Sequence, residues 1–281
     1  MKKLAIAFSA LAIGTVTASA ADIAPRYTKA PVAAPVPVAT WTGCYVGANL
    51  GWVGGDDNLF THPGPPSAFF GQNFNPSPNA HSYTPHDSGV TGGGQIGCNY
   101  QTGSWVFGVE GDINASSLRE RSFATYPDII QTLPAATTWS AHTEAVSKDM
   151  DWYSTIRGRL GFAVTPAWMI YATGGVAFAH FNTALDYASL TAGFHLVGAN
   201  STTRTGWAAG AGTEWMFSPN WSVKAEYLFL DFGTTGLVAP NIAGGPGDPR
   251  TWIMDTRLRE HIARVGINYK FGWGGPVVAK Y

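Results

Sequence analysis

The chain has 281 residues, of which 12% are charged and 13% aromatic, with 34 glycines and 11 tryptophans. Soluble domains carry about 25% charge, so this composition argues against an ordinary water-soluble globule and for surfaces that meet lipid. A formal net charge of −1, with no basic run, removes the electrostatic case for a nucleic-acid partner.

Lys2 and Lys3, the apolar stretch Leu4 to Val16 and the small residues Ala18-Ser19-Ala20 follow the order of a secretory signal. The apolar part is shorter than the roughly 20 residues that a membrane helix needs. Residues 1–20 are therefore expected to be a signal peptide, with Ala21 as the mature start. Residues 21–40 carry Pro25, Pro31, Pro35 and Pro37, which break helix and ladder alike, and are expected to form an extended periplasmic linker. No later stretch is apolar throughout for the length of a helical span.

From Trp41 onward the pattern has period two, the signature of strands with one apolar and one polar face. Cys44 to Val53 sets Val46, Ala48, Leu50 and Trp52 against Tyr45, Gly47, Asn49 and Gly51. Gly89 to Gln101, Trp105 to Ile113, Met150 to Ala163 and Trp168 to Ala179 follow, with Trp152, Ile156, Leu160 and Phe162 opposite Arg157 and Arg159. Gly206 to Phe217 and Trp221 to Phe229 come next, and His261 to Phe271 closes the series with Ala263, Val265, Ile267, Tyr269 and Phe271 on one face. Residues 102–104, 165–167 and 218–220 read as tight turns. Gly54 to Ser88, Asn114 to Asp149, His180 to Arg204 and Leu230 to Glu260 read as long loops. Long and short connections alternate and the strand count is even, which fits an all-β, eight-stranded, antiparallel up-and-down transmembrane barrel over residues 41–271, followed by a tail, 272–281.

Each tight turn is followed by a tryptophan, Trp105, Trp168 or Trp221, after strands that end in Tyr100, Phe162 and Phe217. These are expected to form a periplasmic aromatic girdle, with Trp52, Trp152 and Trp207 near the outer interface.

The polar faces gather Glu110, Asp112, Glu214 and Glu226 against Arg157, Arg159, Lys224 and Arg264. Four acids against four bases favours a lumen network that neutralises itself, because an unpaired charge in a narrow interior is costly. The competing reading is an ion path or gate in a small passive porin. Eight strands leave an interior just wide enough for side chains to fill, which favours the network. Matching the apolar faces of the first two strands pairs Trp52 with Val90 and, in the same register, Cys44 with Cys98. These are the two cysteines of the chain, so a disulfide at the periplasmic rim is expected in an oxidising compartment. A slip of one residue would turn the thiols to opposite faces and leave them free.

Enzymatic function has little support. His62, His81, His86, His142, His180 and His195 are expected in loops, with Asp56, Asp57, Asp87 and Asp149 nearby in sequence. There is no Gly-x-Ser-x-Gly elbow, no His-Glu-x-x-His motif and no spaced Cys/His ligand set. Neither a lipase, a protease nor an acyltransferase is signalled, and no cofactor or metal is implied. A soluble lipocalin lines its inside with apolar residues and turns polar ones to water, whereas here Trp152, Ile156, Leu160 and Phe162 share a face opposite two arginines, and if that face met water Arg157 and Arg159 would be buried.

The segments WTGCYVGANLGW, GGGQIGCNYQ, TIRGRLGFAVTPAWMIYATGGVAF, NWSVKAEYLF and RVGINYKF resemble the small outer-membrane β-barrel proteins of α-proteobacteria, known as outer-membrane immunogenic or porin-family proteins. The resemblance covers about Trp41 to Phe271 and implies a barrel like the membrane domain of OmpA, placed in the cell outer membrane. It further implies roles in envelope integrity and in periplasmic or host-surface contact. The chain departs from the family in its long connections and in the residues after Phe271. Tyr269-Lys270-Phe271 resembles the aromatic-terminated signal read by the outer-membrane assembly machinery, with Phe271 as the recognised residue. Outer-membrane lipid and lipopolysaccharide are the expected partners, the latter through Arg119, Arg121, Lys148, Arg204, Arg257 and Arg259.

Overall fold

The computed structural model describes residues 39–55, 58–64, 81–83, 88–127, 129–131, 137–139, 141–190, 193–245 and 247–271. The expected signal peptide, the linker up to residue 38, the tail 272–281, and Asp56, Asp57, His86 and Asp87 lie outside these residues.

Among the described residues twelve strands run in chain order: β1 (Gly43–Gly55), β2 (Leu59–Pro63), β3 (His81–Tyr83), β4 (Ser88–Thr102), β5 (Trp105–Tyr126), β6 (Ile129–Gln131), β7 (Thr137–Trp139), β8 (His142–Thr165), β9 (Trp168–Ser189), β10 (His195–Ser218), β11 (Trp221–Pro240) and β12 (Thr251–Lys270). Eight of them form a ring of antiparallel neighbours in the order β1-β4-β5-β8-β9-β10-β11-β12. The ring closes through β1 and β12, from Tyr45 opposite Lys270 to Gly55 opposite Glu260. Beyond Gly55, β2 takes up the same edge of β12, pairing Leu59 with Thr256 and Pro63 with Trp252, and β3 pairs with β2. The first wall is thus continued by a second, short hairpin, while β6 and β7 form a separate one.

Strands turn at Gly103-Ser104, Pro166-Ala167 and Pro219-Asn220 at the inner end. At the outer end the expected loops are much shorter than the pattern suggested, because the strands run on. β8 and β10 have 24 residues each and β5 and β9 have 22, where about 9 to 11 tilted residues cross a bilayer. Residues 114–126, 142–149, 180–189, 195–205, 230–240 and 251–260 are therefore wall, not loop, and the third outer connection is only residues 190–194. His62, His81, His142, His180 and His195 accordingly sit on strands.

The missed half of the wall has inverted polarity. In the inner half, Leu160 and Ile156 face out while Arg157 and Arg159 face in. In the outer half of β9, Phe181, Leu185 and Tyr187 are buried inside, and Asn182 and Asp186 lie on the other face. An apolar face is stable toward hydrocarbon in one zone and must turn away from water in the other. Bulges add a parity change. On β8 the inward residues are even from His142 to Met150 and odd from Tyr153 to Arg159, with the irregularity between Met150 and Trp152. On β11 the change falls between Asp231 and Thr234, where Gly233 takes φ +76°, a conformation that glycine adopts without strain.

The interior is filled in layers. Trp41, Val106, Met169, Tyr171 and Met216 pack near the inner end, Val53, Leu118, Met150, Tyr153, Phe181, Leu228 and Ile262 at mid-height, and Leu59, Leu185, Leu196, Trp252 and Met254 toward the outer end.

Candidate functional site: the closed lumen

Between the inner and middle apolar layers lie the eight charged residues expected in the lumen, each at most 6% exposed. Alternation on five strands brings them together: Glu110 and Asp112 from β5, Arg157 and Arg159 from β8, Glu214 from β10, Lys224 and Glu226 from β11 and Arg264 from β12. Register places Glu110 directly opposite Arg157 and Glu226 opposite Arg264, an arrangement that favours opposite charges.

Arg157 is the hub. Its Nη2 donates to Glu110 Oε1 at 2.7 Å and Asp112 Oδ2 at 2.9 Å, and its Nη1 to Glu226 Oε1 at 3.1 Å. Arg264 Nη2 lies 2.6 Å from Glu226 Oε2 and 3.0 Å from Asp112 Oδ2. Lys224 Nζ donates to both oxygens of Glu110, at 2.7 and 2.8 Å. Arg159 pairs with Glu214, which also accepts from Ser222 and Asn268. Every acid therefore has a cation, and hydroxyls and amides add further hydrogen bonds to the same carboxylates. That is the condition under which buried charge is tolerated.

Uncharged residues complete the site, and no role was read for them from the sequence. Tyr45 Oη donates to Glu110 Oε2 at 2.7 Å and Tyr171 Oη to Glu226 Oε1 at 3.0 Å. The Arg159 guanidinium lies 3.6 Å over the Tyr171 ring. Each phenol lies against a glycine of the next strand, since a Cβ on Gly97 or Gly212 would stand 2.5 Å from Tyr45 or Tyr171. An amide chain runs from Asn49 through Gln95 to Asn268 at 2.6 and 2.8 Å.

Above the middle layer, Lys148 bridges Glu120 at 3.2 Å and Glu260 at 2.8 Å, with all three side chains buried. The expectation that Lys148 lies at the outer rim, free to meet lipopolysaccharide, is corrected here. The parity change at Asp151 turns it inward. Arg204 also points inward and donates to Thr235 Oγ1. The parity of Glu110 runs on to Glu120 and that of Arg264 to Glu260, so these two acids were legible, whereas Lys148 lies behind the bulge. Arg119, Arg257 and Arg259 do lie on the outer face, beside Asp149 and Asp151 or beside Asp231.

Trp52, Trp105, Trp168, Trp207 and Trp221 all face outward, from 41% to 61% exposed. Trp152 is half-buried and lies parallel to His180. Cys44 and Cys98 are directly opposite in the β1–β4 ladder and form a disulfide. Phe271 follows the last strand, and its backbone N–H donates to the Cys44 carbonyl at 2.9 Å.

A family model described as the outer membrane protein beta-barrel domain matches residues 8–271. The 31 kDa outer-membrane immunogenic protein of Brucella melitensis is 32% identical over 96% of this chain and the whole of its own length. The 25 kDa outer-membrane immunogenic protein of Brucella abortus is 27% identical over 96% of this chain and 99% of its own. The outer membrane protein OprG from Pseudomonas aeruginosa, a solved structure, is 15% identical, with a TM-score of 0.42 over 82% of this chain and 96% of its own. With a closed eight-stranded ring, an apolar outer band and relatives matched over nearly the whole length, the chain belongs to the outer membrane protein β-barrel family and resides in the cell outer membrane.

Proposed function

We propose that this protein is a closed, non-enzymatic barrel whose work is structural and surface-presenting: it braces the outer membrane and holds its outer wall and connections toward the environment. The observation that carries this reading is the lumen, where eight balanced charges are cross-linked and flanked by apolar layers. Such a filling favours a plug over the alternative of a passive porin. Single-channel recording in a planar bilayer tests it. No steady conductance is expected, and sizeable stable channels would establish the porin instead.

The same reading takes residues 1–20 as the export signal, 21–40 as a periplasmic linker and 272–281 as a tail. It assigns Phe271 to recognition by the assembly machinery and Arg119, Arg121, Arg257 and Arg259 to lipopolysaccharide phosphates. Truncation after Phe271 is expected to leave insertion intact. An all-Ala variant of the four arginines is expected to retain less lipopolysaccharide on purification, and equal retention would remove that partner.

A further inference from the structure

We propose that the outer mouth of the barrel holds a site for one borderline transition-metal dication such as zinc, built from His81, His142 and Glu144. The three side chains come from two strands that share no backbone ladder. His81 opens β3, at the end of the short hairpin that continues the first wall, and among the described residues β3 pairs only with β2. His142 and Glu144 are consecutive inward positions at the outer end of β8 and are buried. One ligand atom from each of the three lies within 4.8 Å of the others.

The geometry is close to what a metal requires. Ligand atoms about 2.0 to 2.1 Å from a tetrahedral zinc are about 3.3 Å from each other. His81 Nδ1 and Glu144 Oε2 are already 3.1 Å apart. Two imidazoles on one tetrahedral ion have ring centres about 5.2 Å apart by the same construction, and those of His81 and His142 are 5.5 Å apart. Closing the remaining gap requires only small side-chain adjustments.

The surroundings orient the ligands. Trp252 Nε1 donates to Glu144 Oε1 at 3.1 Å, so that the other oxygen, Oε2, is the one turned to His81. A carboxylate steadied in this way by an outer partner is a better metal ligand. The His142 ring is stacked between Tyr126 and Tyr187, at 4.9 and 4.5 Å, and His81 stacks on Tyr126 at 3.6 Å. Tyr83 Oη, 2.8 Å from Glu144 Oε2, stands where a fourth ligand, its own oxygen or a water, would complete the sphere. Two imidazoles with one carboxylate suit zinc, copper or nickel and not calcium or magnesium, which prefer all-oxygen shells.

Such an ion would join β3 to β8 beside the contact of Tyr83 on β3 with Tyr126 on β5, 2.9 Å apart, where β3 and β5 share no ladder among the described residues. It would act as a staple at the mouth.

The test uses the whole chain, untagged, purified in detergent and freed of metal. Zinc chloride titrated by calorimetry is expected to show one bound ion per chain. Cobalt(II) in its place is expected to give the visible bands of a four-coordinate site. His81→Gln at the rim and Glu144→Gln are each expected to weaken zinc at least 10-fold, in samples whose heat-modifiable gel migration shows a folded barrel. A control with His62→Ala and His195→Ala, which removes the two histidines paired with Asp255 and Asp186, is expected to bind as the wild type does. Absence of stoichiometric binding by the folded wild type would overturn the proposal. So would undiminished binding by both folded site variants, or loss of binding in the control alone.

Discussion

Arg264 approaches Glu110, Asp112 and Glu226, and Arg157 meets the same three carboxylates from another side. Replacing it by Ala leaves those acids short of a partner in a dry interior, which is expected to cost about 3 to 5 kcal/mol. The measurement is the midpoint of urea unfolding in detergent. Arg157→Lys should recover only part of the loss, because a compact ammonium lacks the planar fork that reaches several acceptors at once. Glu144 supplies a pH handle at the mouth. Burial raises its carboxyl, but the hydrogen bonds that it makes with His81 and Tyr83 help to outweigh burial and hold it below the ordinary carboxylate range. A carboxyl lowered by folding adds stability that is fully present above its unfolded value of about 4.3 and is lost as the pH falls through the lowered folded value. Between pH 7 and about 5 this carboxylate is therefore expected to hold β3 in place. Below pH 4.3 its hold weakens, which hydrogen exchange of the β2–β3 hairpin would register and which Glu144→Gln should make insensitive to acid.

At the level of strands, the disulfide ties β1 to β4, whose cysteines are 54 residues apart in sequence. Cys98→Ala is expected to lower stability by about 2 to 4 kcal/mol. Alkylation of the non-reduced wild type should label neither cysteine. This register was readable from sequence because alternate apolar residues mark the outward face along both strands, although Tyr45 and Val53 turn inward. The same rule placed all eight charges of the lumen. It failed at Asn114, His180 and Leu230, where the strands leave hydrocarbon and their apolar residues turn inward, so the wall reads as loop to a search for outward apolar faces. The bulges at Asp151 and Gly233 compound this by changing which alternate residues face in. Lys148 was misplaced for that reason, Glu144 was passed over with it, and His142 was taken for a loop residue. The tyrosines over Gly97 and Gly212 were unreadable for another reason, since which phenol reaches which carboxylate depends on stagger across strands rather than on any local pattern.

Across the whole barrel, ionic and apolar layers stand in series. A variant lacking both Arg157 and Arg159 is therefore expected to be less stable yet still closed, because the packed layers around Met169 and Met150 remain. Planar-bilayer recording of a folded double variant checks this. The reversal of polarity partway up the same eight walls has one more consequence, which concerns position rather than stability. Sinking the barrel by one rung would carry Arg119, Asp149, Asp231 and Arg259 toward hydrocarbon, where a charge costs up to about 2 to 4 kcal/mol at the midplane. Lifting it by one rung would bring Trp52 and Trp207 into water. The reversal works as a waterline painted on the hull, so the protein cannot adapt to a thinner or thicker membrane by sliding. The lipid around it must deform to meet that line.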